Sequence, residues 1–436
     1  MARDLFGTDG VRGLAGEHPL DGDGLHRIGS AVAKLFGQPG QQVAIGADTR
    51  ESSPSIVGAL CEGLVESGLN VVNLGVITTP GLAYLTRQHD EFVAGVMVTA
   101  SHNPYQYNGV KVFDRNGGKL SDETEAALNA AIEAEPTKAE AAGEVSQQPK
   151  LVQEYVDFLV HSAEGLNLHG LKIAVDTANG SASSIAKNVF EQLGANLTAL
   201  SDLPNGININ DHCGATDTTA LQKAVANQGL DIGIAFDGDA DRLIFVDNQG
   251  NQVNGDQLLY ILAVQNGLKG VVATVMSNLG FEQALQAKGI DLVRTAVGDR
   301  YVLDGLAKTG YELGGEQSGH IVLPKLLQTG DGLLAAVQVL KALQESGKSL
   351  ADWRAEVPML PQSLVNISLT DKTLLDRPEV KAYIDEQTAQ IGSSGRLLIR
   401  PSGTEPLARV MVEAPDAQSK AAQIAEQLQN LLQEHA

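Results

Sequence analysis

Short, nearly continuous apolar runs alternate along this chain with longer stretches whose apolar residues return every three or four positions. The runs at Val43-Ala44-Ile45, Lys172-Ile173-Ala174-Val175 and Val271-Val272-Ala273-Thr274-Val275 each lead into a small polar turn. The turns, residues 46–52, 176–181 and 276–280, open amphipathic stretches that stop near Gly68, Gly194 and Gly289 before another apolar run. A run followed by a 3.6-residue period predicts strand, turn and helix, and repeated alternation predicts stacked α/β units with largely parallel pairing. The three segments agree only weakly residue by residue, so internal duplication and shared α/β grammar both fit.

The breaks in this pattern divide the chain. Residues 133–150 are rich in Ala, Glu, Gln and Pro and are expected to be an exposed connector, which ends a first α/β domain at 1–150. Apolar runs at 243–246 and 252–253 flank the hairpin-like turn Asp247-Asn248-Gln249-Gly250-Asn251 and close a second domain at 151–254. A third follows at 255–362, where Pro358 and Pro361 interrupt the chain. The remainder, 363–436, predicts a strand at 364–369, a helix from about Pro378, strands around Leu397 and Val410 and a terminal helix, a smaller α+β domain.

Composition narrows the partners. With 436 residues, 43% apolar, the chain can bury several cores. Its 31 basic against 53 acidic residues give a net charge of -22, which argues against nucleic acid or anionic lipid and requires a locally basic pocket for any anionic substrate. Cys61 and Cys213 form no metal or disulfide pattern, so a reducing compartment is expected. The first residues lack an apolar signal segment and no run approaches the roughly 18 apolar residues of a membrane span, so no membrane partner and a cytoplasmic location are expected.

Two loops carry chemistry. Thr99-Ala100-Ser101-His102-Asn103-Pro104 follows the apolar run 92–98 and sets a hydroxyl nucleophile in a stiff loop; read plainly, Asn-Pro would make it only a polar turn. Asp237-Gly238-Asp239-Ala240-Asp241-Arg242 follows the apolar run 232–236, which places three alternating carboxylates at a strand's carboxyl end, a spacing suited to one hard divalent cation. A calcium EF-hand is excluded, because its sixth and twelfth positions would be Arg242 and Asn248. Carboxylates beside a phosphate repel unless a cation lies between them, so the loops are read as halves of one site, a phosphorylated Ser101 beside magnesium.

Other stretches offer binding groups. Arg400-Pro401-Ser402-Gly403-Thr404-Glu405-Pro406, with Arg409, combines guanidinium, hydroxyls and glycine-exposed amides suited to an oxyanion. Gly314-Gly315-Glu316-Gln317-Ser318-Gly319-His320 suits sugar hydroxyls, and Arg12 in Gly7-Thr8-Asp9-Gly10-Val11-Arg12-Gly13 is a candidate phosphate contact. Gly347-Lys348-Ser349 looks like the end of a P-loop, but Ala342 stands where the first glycine is required, so it is read as a helix-ending turn.

Taken in order, these loops resemble the α-D-phosphohexomutase superfamily from the Gly7 loop to the Arg400 loop, and their wording is most similar to its bacterial amino-sugar branch. The resemblance implies four domains around a central cleft, three of similar mixed α/β topology and a smaller, more mobile fourth. It implies interconversion of glucosamine 6-phosphate and glucosamine 1-phosphate through a bisphosphorylated sugar, with the product feeding UDP-N-acetylglucosamine and cell-wall synthesis, by a monomer or homodimer. Phosphoserine at Ser101 and one Mg2+ per subunit, held by Ser101, Asp237, Asp239 and Asp241, follow from it. So do proton-handling roles among His102, Lys111 and Arg12, and substrate contacts from Arg242, Glu316, Ser318, His320, Arg400, Ser402, Gly403, Thr404 and Arg409. Ala240 departs from the glycine more usual in that metal loop, yet leaves all three carboxylates in place. A phosphomannomutase/phosphoglucomutase, an aspartyl-phosphate phosphatase or a non-catalytic sugar-phosphate sensor are the alternatives.

Overall fold

Three sheets of the protein repeat one strand order in the computed structural model, which describes residues 5–6, 10–369, 371–402 and 406–434. A central strand in each, Gln42–Ala47, Lys172–Asp176 or Gly270–Thr274, has a parallel neighbour on either side. One neighbour is Asn70–Val76, Asn196–Leu200 or Asp291–Thr295. The other is Phe92–Val98, Ile232–Phe236 or Gly314–Gly315, and after it the chain turns back antiparallel as Tyr107–Asp114, Leu243–Asp247 or Ile321–Leu323. A fifth strand pairs antiparallel beyond it: Val11–Leu14, Gln252–Val253 or Leu327–Gly330. The mixed α/β topology that the resemblance implies is met, whereas the largely parallel pairing expected from the alternation is not: in the second and third sheets antiparallel ladders equal the parallel ones, because the chain folds straight back after each ligand-edge loop. The strand order is shared, although the fifth strand precedes the others in the chain only in the first sheet.

The residues explain the layering. Ile232–Phe236 is buried along its whole length and Phe92–Val98 at every position but Val93, as continuous apolar runs require when helices cover both faces of a sheet. On one face of the first sheet, Ile28, Leu60 and Leu64 from the helices Gly22–Phe36 and Ser53–Glu66 join Val43, Ile45 and Val96 in one core. The stretch 133–150 departs from the expected connector in one respect: Val145–Gln147 pairs parallel with Asn70–Val76 as a sixth strand. All three of its side chains are exposed, so it is held by backbone pairing and leaves no apolar trace in the sequence. Gly347 caps the helix Gly332–Ser346 in the left-handed conformation, as the helix-ending reading requires.

The chain forms two compact units, residues 1–275 with 290–354 and residues 276–289 with 355–436. The first contains the three sheets. The second is built on a three-stranded antiparallel sheet with Leu407–Glu413 between Gln362–Ser368 and Arg396–Pro401. Val410 and Val412 of that sheet pack against Val380 of the helix Pro378–Ile391 and Ala421 and Leu428 of the helix Ala417–Glu434. This is the small α+β unit the sequence predicts.

Within the first unit, buried Asp331 ties elements of distant sequence. One carboxylate oxygen caps the helix Gly332–Ser346 through Leu334 N at 2.9 Å, and the other accepts from Tyr155 Oη at 2.8 Å. Burial raises the Asp331 carboxyl to about 6, against the Leu334 and Tyr155 hydrogen bonds that lower it. An acid with a raised folded-state pKa favours folding while protonated and loses that advantage once the unfolded chain ionises. Stability should therefore fall between about pH 4 and pH 6 by an amount on the order of 3 kcal/mol. Urea titrations across that range should show this slope in the native chain and a flatter one in Asp331→Asn, which keeps a cap acceptor.

Candidate active site

The chemistry-bearing stretches of the first unit occupy equivalent places in the three sheets. Residues 99–106, 237–242 and 316–320 each join a parallel strand to its antiparallel return. They leave from strand carboxyl ends, the edge where α/β sheets bind ligands.

Ser101 is held in a conformation that side chains avoid, with φ 51° and 1% exposure. Its amide donates to Thr99 Oγ1 at 2.9 Å, and Thr99 Oγ1 donates to Asp48 Oδ2 at 2.7 Å. Beneath the loop, buried Arg50 donates from Nε to Asp48 Oδ2 and from Nη2 to the carbonyls of Ser101 and Asn103, each at 2.9 Å. Its Nη1 donates to the Pro104 carbonyl, and Asn210 Nδ2, from the second sheet's domain, reaches the Ser101 carbonyl at 2.9 Å. A strain of about 1–3 kcal/mol persists only when surroundings over-determine it, and this clamp does so.

Ser101 meets the aspartate loop directly: its Oγ donates to Asp237 Oδ2 at 2.8 Å. Gly238 permits the approach, since a Cβ there would lie 2.6 Å from the Ser101 carbonyl oxygen. Asp237, Asp239 and Asp241 are buried, and each offers an oxygen within 4.8 Å of the others. Lys111 Nζ stands 2.9 Å from Asp239 Oδ2 and 3.4 Å from Asp241 Oδ2, while Thr79 Oγ1 donates to Asp239 Oδ2 at 2.6 Å. The other oxygens, Asp239 Oδ1 and Asp241 Oδ1, are buried and accept no hydrogen bond from the described residues, although Arg242 Nε and His320 Nδ1 stand 3.8 Å and 3.9 Å from Asp241 Oδ1. A buried carboxylate oxygen that accepts no hydrogen bond is costly, so this donor set fits a hard divalent cation. Ala240 keeps the loop at φ 57°, and its Cβ costs about 1–2 kcal/mol in that region without displacing the three carboxylates.

The charges are unevenly settled. Burial, then the charges of Asp241 and Asp239, push Asp237 well above the usual carboxylate range. At Asp241 burial acts the same way, but Lys111, His320 and Arg242 outweigh it and hold the carboxyl well below. His102 Nδ1 lies 3.3 Å from Ser101 Oγ; burial, then Arg242 and Arg12, lower it to about 4 and leave it neutral at physiological pH. Arg12, on the strand Val11–Leu14, and Arg242 are thereby both placed near His102. His320 is buried, with Nδ1 3.9 Å from Asp241 Oδ1 and Nε2 3.9 Å from Asp299 Oδ2; burial lowers it, and the Asp241 carboxylate more than reverses this.

The 316–320 loop adjoins the aspartate loop through Leu243 N, which donates to the Gly319 carbonyl at 3.1 Å. Glu316 Oε1 accepts from Gly298 N at 3.2 Å, and Ser318 is exposed. In the second unit, Arg400 and Arg409 stand directly opposite each other on paired antiparallel strands. Burial and the Arg409 charge both lower Arg400. Like charges so placed are destabilising unless an anion answers them. Ser402 is buried beside the pair, with its amide donating to the Leu407 carbonyl at 2.8 Å, whereas Gly403 and Thr404 lie outside the described residues. Sequence reasoning missed Asp48, Arg50, Thr79 and Asn210. The turn 46–52 registers only as strand-to-helix punctuation, although Asp48 and Arg50 directly after a buried strand are the one hint it offers.

The chain matches the four phosphoglucomutase/phosphomannomutase family descriptions in succession: alpha/beta/alpha domain I at residues 3–139, domain II at 153–250, domain III at 254–359 and the C-terminal domain at 364–431. It belongs to that family. Phosphoglucosamine mutases are among its relatives: the chain is 45% identical over 425 residues to the one from Alcanivorax borkumensis, covering 95% of this chain and 96% of that one. It is 46% identical over 427 residues to the one from Streptococcus sanguinis, covering 94% of each. Among solved structures, a phosphoglucomutase/phosphomannomutase family protein from Burkholderia thailandensis superposes with TM-score 0.81 at 25% identity, covering 99% of this chain and 97% of that one.

Because a Cβ on Gly238 would press on the Ser101 carbonyl, Gly238→Ala should cost about 1–3 kcal/mol and part the serine from the carboxylates. A thermal melt with retained cooperativity and mutase activity reduced at least tenfold is the expected pair of results.

Proposed function

We propose that this chain interconverts glucosamine 6-phosphate and glucosamine 1-phosphate, with Ser101 carrying the phosphoryl group between turnovers. The observation that carries the reading is the hydrogen bond from Ser101 Oγ to Asp237 inside a cage of three buried carboxylates. The phosphoglucosamine mutase relatives support the amino-sugar substrate. The all-oxygen donors support Mg2+, held by Asp237, Asp239, Asp241 and a phosphoserine oxygen. That ion supplies charge neutralisation for the transferring phosphoryl group.

In the first transfer, the bond from Ser101 Oγ to phosphorus breaks as the free hydroxyl of the sugar phosphate forms its own bond to phosphorus. The hydroxyl gives up a proton and Ser101 Oγ takes one. His102, neutral and 3.3 Å from Ser101 Oγ, and Lys111, paired with Asp239 and Asp241, are the groups that handle these protons, and Arg12 and Arg242 add positive charge around them. The second transfer returns the other phosphoryl group to Ser101, so the bisphosphorylated sugar must present either end. Serine suits this waiting role, because phosphate monoesters hydrolyse very slowly without catalysis. Glu316, Ser318 and His320 are assigned to the sugar hydroxyls. The opposed Arg400 and Arg409, with Ser402, are assigned to the phosphate that is not reacting.

Ser101→Ala should abolish steady turnover and the mass gain of one phosphoryl group after incubation with the bisphosphorylated sugar, as read by intact mass spectrometry. Label found on Asp237 instead would transfer the assignment to aspartyl-phosphate chemistry. Coupled assays should rank glucosamine 6-phosphate above glucose 6-phosphate and mannose 6-phosphate. Arg400→Ala should raise KM by roughly 10- to 100-fold with a smaller change in kcat, the signature of lost uniform binding.

A further inference from the structure

We infer that Thr79 sets the cation preference of the aspartate cage by confining Asp239 to one coordinating oxygen; the inference rests on the cation site proposed above. Thr79 opens the helix Thr79–Gln88 in the first sheet's domain, 160 residues away from Asp239 in sequence, and is 2% exposed. Its backbone N–H, one of the donors a helix N-terminus leaves without an intrahelical partner, donates to the Asp239 carbonyl at 3.1 Å. Its hydroxyl donates to Asp239 Oδ2 at 2.6 Å. The same Oδ2 accepts from Lys111 Nζ at 2.9 Å.

Oδ2 therefore has two close donors fixed by the first domain, which leaves Oδ1, buried and without a hydrogen-bond partner among the described residues, as the oxygen Asp239 presents. Branching at Cβ and full burial keep the Thr79 hydroxyl in this orientation. A carboxylate restricted to one oxygen suits Mg2+, which demands compact octahedral geometry at about 2.0–2.1 Å. Ca2+ takes six to eight oxygens at roughly 2.3–2.6 Å and gains from bidentate carboxylates, which Asp239 so held does not offer. Thr79 acts as a positioning residue: its hydroxyl and amide both contact Asp239, and it works through the orientation of that carboxylate.

Isothermal titration of the full-length protein with MgCl2 and, separately, CaCl2 reads this without any turnover. Thr79→Val removes the hydroxyl at nearly constant volume and should weaken Mg2+ by about tenfold, the scale of losing a partner that orients a metal ligand. Ca2+ affinity should hold or rise, so the Mg2+-to-Ca2+ ratio should fall by at least that factor, and Thr79→Ser should restore it. Thr79→Ala serves the same purpose if the valine variant fails to melt cooperatively. An unchanged ratio in the Val or Ala variant overturns the role of Thr79 while leaving the cation site intact. A native protein that binds neither ion overturns the cation site, and this inference with it.

Discussion

Three carboxylates confined to a space of 4.8 Å and shut away from water are the constraint around which the first unit is arranged. In isolation such a cluster would oppose folding, because each charge is desolvated and repelled by the other two. The neighbours relieve it unequally. Lys111 pairs with both Asp239 and Asp241, Thr79 donates to Asp239, His320 and Arg242 act on Asp241, and Ser101 and the Arg242 amide donate to Asp237. One oxygen each on Asp239 and Asp241 accepts no hydrogen bond from the described residues, which is why the three aspartates fit the ligand set of a cation. Ser101 Oγ hydrogen-bonds to Asp237 within it, so the serine proposed to carry the phosphoryl group and the three carboxylates are built into one hydrogen-bonded cluster.

The fold delivers this cluster by reusing one solution. The turn from a buried parallel strand to its antiparallel return appears in all three sheets, and it holds in succession Ser101, the three aspartates and the Glu316 to His320 stretch. Each turn is anchored at both ends by paired strands, which fixes its side chains more closely than a long surface loop would. The loops are then tied to their surroundings by hydrogen bonds to backbone carbonyls: Asn210 Nδ2 on that of Ser101, Leu243 N on that of Gly319 and Gly332 N on that of Ala240. Differences in chemistry among the three turns thus arise from a few residues on a common frame.

What the sequence discloses follows from this construction. Strands such as 92–98 and 232–236 are legible because both faces are covered and every position is apolar, and the loops after them are legible because reactive residue types are concentrated within six positions. The edge strand Val145–Gln147 is not, since its pairing is purely backbone and its side chains face water. Arg50 and Thr79 are hidden for a different reason. Their partners lie 51 and 160 positions away, and neither residue belongs to a spaced motif. Local pattern identifies the groups that do chemistry, whereas the groups that aim them are defined only by tertiary proximity.

Two non-glycine residues at the centre, Ser101 and Ala240, adopt left-handed backbone conformations, and the reasons differ. At Ser101 the side chain is indispensable to the proposed chemistry, so glycine is no alternative and the strain has to be carried. Arg50, with Asp48 and Asn210, supplies the hydrogen bonds that carry it. At Ala240 no side-chain chemistry is at stake, and the turn is secured by its own amide donating to the Asp237 carbonyl at 3.1 Å and by Gly332 N donating to its carbonyl at 3.0 Å. Alanine there also narrows the unfolded ensemble relative to glycine, which offsets part of its steric cost. Both residues are fixed through their backbone polar groups, and this leaves the oxygens of Ser101 and the three aspartates free to be arranged by chemistry rather than by the needs of the turn.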